Sequence, residues 1–76
     1  MRELIHNLAS QLVDDPDAVR VEEVERDGAI VLQLHVAKQD VGKVIGRQGR
    51  IARALRTLVR AGSAHEGRRV VLEIVD

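Results

Sequence analysis

Aliphatic residues recur along this chain with two different periods, and the switches between them lay out an order of elements. Leu4, Ile5, Leu8 and Leu12 fall at helical spacing, which predicts an amphipathic helix over residues 2–13. Asp14, Asp15, Pro16 and Asp17 end it, because proline cannot continue a helix and pushes its predecessor toward extended backbone. Val19 and Val21 then alternate while Val24 falls out of phase, so 19–26 reads as an edge strand with a bulge or a late bend. Asp27-Gly28 supplies the positive φ angles of a tight hairpin turn. The next strand, 30–36, puts Ile30, Leu32, Leu34 and Val36 on one face and Val31, Gln33 and His35 on the other.

The second half returns to the helical period. Asp40 is placed to N-cap a very short helix from Val41 to Ile45, which Gly46 stops. A longer helix is predicted over 50–61 with Gly62 just beyond it. Stepped at about 100° per residue, Ile51, Leu55 and Leu58 share one side. Arg50, Arg53, Thr57 and Arg60 share the opposite side, with Arg56 at its margin. Residues 63–67 read as a loop, and 68–75 as a final strand with Val70, Leu72 and Ile74 facing one way and Val71, Glu73 and Val75 the other. The predicted order is αββααβ, an α+β class in which a three-stranded sheet is covered by helices on one face. With 76 residues the expectation is one domain, 1–76.

Composition narrows the function classes. Hydrophobic residues make up 45% and charged residues 32%, a globular mixture rather than a disordered one. There is no Cys, which excludes disulfides, a thiolate nucleophile and cysteine-ligated metals, and is the usage expected of a cytoplasmic protein. No apolar run approaches the roughly 20 residues needed to span a bilayer, so no membrane insertion is expected. Phe, Trp and Tyr are all absent, so any aromatic base-stacking platform is excluded, and the core must come from 12 Val, 8 Leu and 5 Ile.

Formal net charge is zero, but its distribution is lopsided. Residues 1–37 carry three basic and eight acidic side chains, whereas 38–69 carry nine basic groups against Asp40 and Glu66. Such concentration is the footprint of a polyanion binder, although a solvated helix face can also be arginine-rich. Within the basic segment lies Gly46-Arg47-Gln48-Gly49, a four-residue turn between two helices. Glycine at both ends lets a phosphodiester approach the main chain, and unpaired N–H groups at the start of the second helix would favour an anion. Lys43 lies a turn before the loop and Arg50 and Arg53 follow it, so cations flank this track on both sides.

Val44-Ile45-Gly46-Arg47-Gln48-Gly49-Arg50-Ile51-Ala52-Arg53-Ala54-Leu55 resembles the KH-domain signature, a hydrophobic-Ile-Gly-x-x-Gly motif followed by an amphipathic helix. Two strands before the motif and one after it resemble the type II, prokaryotic arrangement, and a stand-alone domain of this length resembles the KhpA (YlqC) family of small bacterial RNA-binding proteins. The resemblance implies a loop clamping the backbone of about four nucleotides of single-stranded RNA. Arg47 and Gln48 would be the variable pair, and bases would lie in a groove lined by Val41, Val44 and Ile45, with Ile51 and part of the last strand opposite. It also implies an RNA-chaperone or post-transcriptional role, self-association or a complex with the larger KH protein KhpB, and a part in cell-wall homeostasis and cell-length control.

Other readings are weaker. A plain helix-turn-helix corner would explain the glycines without ligand, but a DNA-binding version needs a third helix that the strands leave no room for. Gly42-Lys43 lacks the remainder of a phosphate-binding loop. His6, His35 and His65 are too dispersed to suggest a metal, no nucleophile sits beside a base, and no enzyme, cofactor or small-molecule substrate is implied. The alternative that stays open is a KH-shaped protein-interaction module, since so short an aliphatic core could be completed by a dimer or a partner.

Overall fold

The computed structural model describes residues 1–65 and 67–75; of the expected loop, Glu66 lies outside the described residues. Helix α1 spans Arg2–Leu12, strands β1 and β2 span Arg20–Arg26 and Ala29–His35, helices α2 and α3 span Val41–Ile45 and Arg50–Gly62, and β3 spans Val70–Val75. This is the αββααβ order of a type II KH domain. Short 3₁₀ turns at Pro16–Ala18, Lys38–Asp40 and Arg47–Gly49 join the elements.

The central strand is β2, antiparallel to β1 and parallel to β3. Asp27 and Gly28 both take positive φ, 53° and 79°, and close the tight β1–β2 hairpin as the dipeptide predicts. The expected bulge in β1 is absent: pairing runs unbroken from Arg20 opposite His35 to Arg26 opposite Ala29. Val24 is out of phase with Val21 because it serves the other face, where it sits across from Val31. On that helix-free face Val71 continues the row, and Glu73 ties the strands together by accepting from Gln33 Nε2 at 3.0 Å and pairing with Arg26 at 3.4 Å.

The opposite face builds the core. Val21, Leu32, Leu34 and Leu72 meet Ile5 and Ala9 of α1, Val44 of α2, and Leu55 and Val59 of α3. Two predicted stripes are rotated from their expected positions. In α1 the buried line is Ile5 and Ala9, with Leu8 partly covered, and Leu4 and Leu12 are exposed; small Ala9 lets the helix lie close to the sheet. In α3 the buried line is Ala52, Leu55 and Val59, so Leu58, expected to face inward, is 44% exposed. The helix also includes Gly62 instead of stopping before it, and ends at Ser63, whose Oγ donates to Val59 O at 2.6 Å.

Asp40 departs from expectation as well. It occupies the N-cap position of α2 but its side chain makes no cap hydrogen bond. Fully buried, its Oδ2 instead accepts the Asp15 backbone N–H at 3.0 Å, fastening the turn after α1 to the start of α2. That bond satisfies a backbone donor, which is worth more in a buried setting than a solvent-exposed cap.

Candidate nucleic-acid interface

The short helix α2 ends on Gly46, whose N–H closes on Gly42 O at 2.9 Å and whose φ of 77° and ψ of 174° fall in a region open only to glycine. A side chain there would also strike Ile51: a Cβ would sit 2.7 Å from Ile51 Cγ1. Ile51, half-buried, fills the space under the loop, so the first glycine is fixed by packing beneath it. Arg47, Gln48 and Gly49 then form one 3₁₀ turn closed by the Gly49 N–H on Gly46 O at 3.1 Å. Gln48 takes a left-handed conformation, φ 57°, and Gly49 follows at φ 72° with open space where a Cβ would project.

Two of the predicted cations reach back over this turn. Arg53 Nη2 donates to Gln48 O at 3.3 Å and Arg50 Nη2 to Gln48 Oε1 at 3.2 Å. The left-handed Gln48 is thereby held from two sides, and guanidinium charge lies beside the exposed Arg47 and the open flank of Gly49. The helix start contributes differently from expectation. Gly49 N–H is spent on Gly46 O and Arg50 N–H on Arg47 O, so the 3₁₀ turn already satisfies two of the donors expected to meet an anion. Attraction for an anion at this end therefore draws less on these two N–H groups and more on the guanidinium groups and the helix dipole.

The aliphatic side of the site is only partly as predicted. Ile45 is 38% exposed and Val41 half-buried, but Val44 is completely buried in the core. Val44 thus lies beneath the surface rather than on it, because it is the residue of α2 that turns into the core cluster. Lys43 is drawn away from the loop: its Nζ lies 3.0 Å from Asp14 Oδ2 and 3.7 Å from Asp40 Oδ1. The hydrogen bond and attraction of Asp14, with a further contribution from Asp40, raise the Lys43 pKa above its ordinary value. Its charge is committed to the turn after α1, a long-range pairing that no spacing rule in the sequence could reveal.

Leu58, Ala54 and Thr57 join Arg50 and Arg53 around a shallow hollow on the outer face of α3. Among the described residues no group of three acidic, histidine or cysteine side chains could hold a metal ion, and no helix is long and apolar enough to cross a membrane.

Comparison with known proteins matches residues 2–74 to the family described as KhpA/KhpB, KH domain. The RNA-binding protein KhpA of Caldanaerobacter subterraneus subsp. tengcongensis is 52% identical over 75 residues, covering 99% of this chain and all of the relative. The RNA-binding protein KhpA of Clostridium acetobutylicum is 51% identical over the same share of both chains. In Aquifex aeolicus the protein of that name is 47% identical over 76 residues, covering all of this chain and 96% of the relative. No solved structure matches the chain at a significant level.

Proposed function

Because the chain belongs to the KhpA/KhpB KH-domain family, we propose that it binds single-stranded RNA, with the loop Gly46, Arg47, Gln48 and Gly49 gripping the backbone. The observation that carries this reading is the construction of the loop. Ile51 packs where a Gly46 side chain would be, Gly49 presents an open flank, and Arg50 and Arg53 gather over the turn. Such a surface admits a phosphodiester to van der Waals contact with main chain while cations stand within reach of its oxygens. Bases then fall toward Val41, Ile45 and Ile51, with Val44 behind them, where aliphatic packing and hydrogen bonds replace the absent aromatic stacking. Lys43 joins the site only after exchanging Asp14 for phosphate.

In this reading the whole chain, 1–76, is one KH unit and acts as a cytoplasmic, non-enzymatic RNA chaperone or post-transcriptional regulator. Family membership supports its working as a homodimer or with KhpB, and a contribution to cell-wall homeostasis and cell length. The alternative, a module acting chiefly through protein contacts, is favoured by one feature, the exposed Leu58 between Ala54 and the end of α3.

Titration of fluorescent single-stranded RNA at two salt concentrations separates the two. A variant carrying Arg47→Asp and Gln48→Asp places negative charge at the loop, and aspartate tolerates the left-handed conformation of position 48. We expect wild-type affinity to fall with salt at a log–log slope of about 0.7 per phosphate neutralised, and the folded variant to lose binding. Equal binding by both proteins, or none by the wild type, would transfer the function to protein contacts.

A further inference from the structure

The two edges of the sheet are finished differently. At β3 a helix side chain reaches the edge: Arg56 Nε donates to Leu72 O at 3.5 Å, and Arg60 and Arg69 line the hollow beside it. At β1 the edge is bare. The Ile30 N–H goes to Arg69 O on the β3 side, so the backbone groups of its neighbours Ala29 and Val31 turn toward β1. Their partners Arg26 and Val24 therefore point inward, and Val21, Glu23 and Glu25 turn their N–H and C=O groups out of the sheet. No backbone hydrogen bond outside the ladder reaches these groups among the described residues.

An open edge is ordinarily blunted by proline, lysine, a bulge or extreme shortness. Strand β1 has seven residues, contains neither proline nor lysine, and pairs with β2 without a bulge. Its protection is charge of one sign. Residues 14–27 carry seven carboxylates against two arginines, and β1 itself holds Glu22, Glu23 and Glu25. Glu22 is met by Arg20 at 3.0 Å and His35 at 2.9 Å, and Glu25 by Arg68. Glu23, exposed at the middle of the edge, has no ion pair among the described residues. Such an edge turns away a second copy of itself, since antiparallel pairing about the strand centre sets Glu23 against Glu23. It turns away a polyanion for the same reason. A strand of the opposite sign is what it accepts.

We propose that the outer edge of β1 is a docking site for an extended, lysine- or arginine-rich protein segment, which adds to the sheet as a fourth strand. Backbone bonds to Val21, Glu23 and Glu25 hold the segment, and basic side chains across from Glu22, Glu23 and Glu25 select it. The site goes beyond the RNA-binding reading and does not depend on it. Strands β1 and β3 lie about 10 Å apart across β2, so a segment docked on one edge leaves the arginine-lined other edge open.

The test uses the full chain and two capped heptapeptides, one alternating lysine with valine and one alternating glutamate with valine, and reads amide hydrogen exchange by NMR. At saturation the lysine peptide is expected to slow exchange at Val21, Glu23 and Glu25 by about fivefold or more, while Glu22 and Val24, already bonded to β2, change little. The glutamate peptide should do nothing. Glu23→Pro removes the central outward N–H without touching the ladder, and should abolish the protection at Val21 and Glu25. Glu23→Lys keeps that N–H and reverses the charge, and should weaken binding of the lysine peptide by about tenfold. This second variant decides the matter if the proline variant melts early. Equal protection by both peptides, protection confined to β3, or perturbed acidic side chains with no protection in β1 would each overturn the proposal. So would self-association of the chain that Glu23→Pro removes, because the edge would then belong to a second copy.

Discussion

Gly46 and Gly49 bracket one turn but are required for different reasons, and substitution should separate them. Gly46 sits at φ 77°, ψ 174°, and a methyl group there would also collide with Ile51. Gly46→Ala should therefore cost about 3 kcal/mol or more, the sum of a glycine-only backbone state and overpacking. Gly49 is left-handed with open space beyond it, so Gly49→Ala should cost only about 1 kcal/mol. Urea denaturation of the two variants measures the difference directly, and equal losses would mean that Ile51 yields freely. If the open flank of Gly49 is where phosphate approaches, that milder variant should nonetheless lose RNA affinity, which separates its binding role from its structural one. The motif announced both glycines; which of the two is locked by packing depended on Ile51 coming to rest under the loop.

At the scale of elements, the rotation of α3 matters most. Its arginines and aliphatics separate in the sequence as they do in space, but the centre of the buried line falls on Leu55 and Val59 instead of running through Leu58. Several apolar arcs on one helix satisfy the same periodicity when small residues such as Ala52 and Ala54 count for little, and only the shape of the sheet beneath selects among them. Leu55→Ala should cost about 2–5 kcal/mol, whereas Leu58→Lys should change stability by less than about 0.5 kcal/mol. Thermal or denaturant unfolding of the pair checks the orientation, and a large loss from Leu58→Lys would restore the face read from spacing. A similar ambiguity explains β1. Val24 looked like a break in alternation, and it is an ordinary strand residue on the helix-free face.

Across the whole molecule, the acidic first half and the basic second half are joined at the Arg68–Glu25 pair on the sheet and, more closely, where α2 begins. Asp40 binds the Asp15 N–H from within the core, and Lys43 reaches from α2 to Asp14. A lysine whose pKa is raised in the folded state stabilises the fold while protonated. That contribution is complete below its unfolded value, near 10.5, and disappears as pH rises through the higher folded value. The melting midpoint of the wild type should consequently fall more steeply above about pH 10 than that of Asp14→Asn, which lacks the main partner. At neutral pH the wild type should be the more stable by the same modest amount that it loses at alkaline pH, since the pair is exposed to solvent and salt. Parallel alkaline profiles would show that the contact does not persist in solution. The same pairing holds one flanking cation away from the loop.

The sequence by itself determined the order αββααβ, the hairpin at Asp27-Gly28, the Gly46–Gly49 turn and the segregation of arginines onto the outer side of α3. Each of these is a local matter of periodicity, backbone freedom or charge position, settled within a few residues of chain. Only the tertiary structure decided which arcs of α1 and α3 are buried, that Val44 lies fully in the core, that Asp40 holds the Asp15 backbone and that Lys43 faces Asp14. It also brought Arg69 of the approach to β3 beside Arg56 and Arg60 of α3, forming a cleft from residues that nothing in their spacing connects. Those outcomes depend on contacts between distant segments, where the fit of side-chain volumes against the sheet and the burial of one carboxylate choose among arrangements that local pattern leaves equivalent.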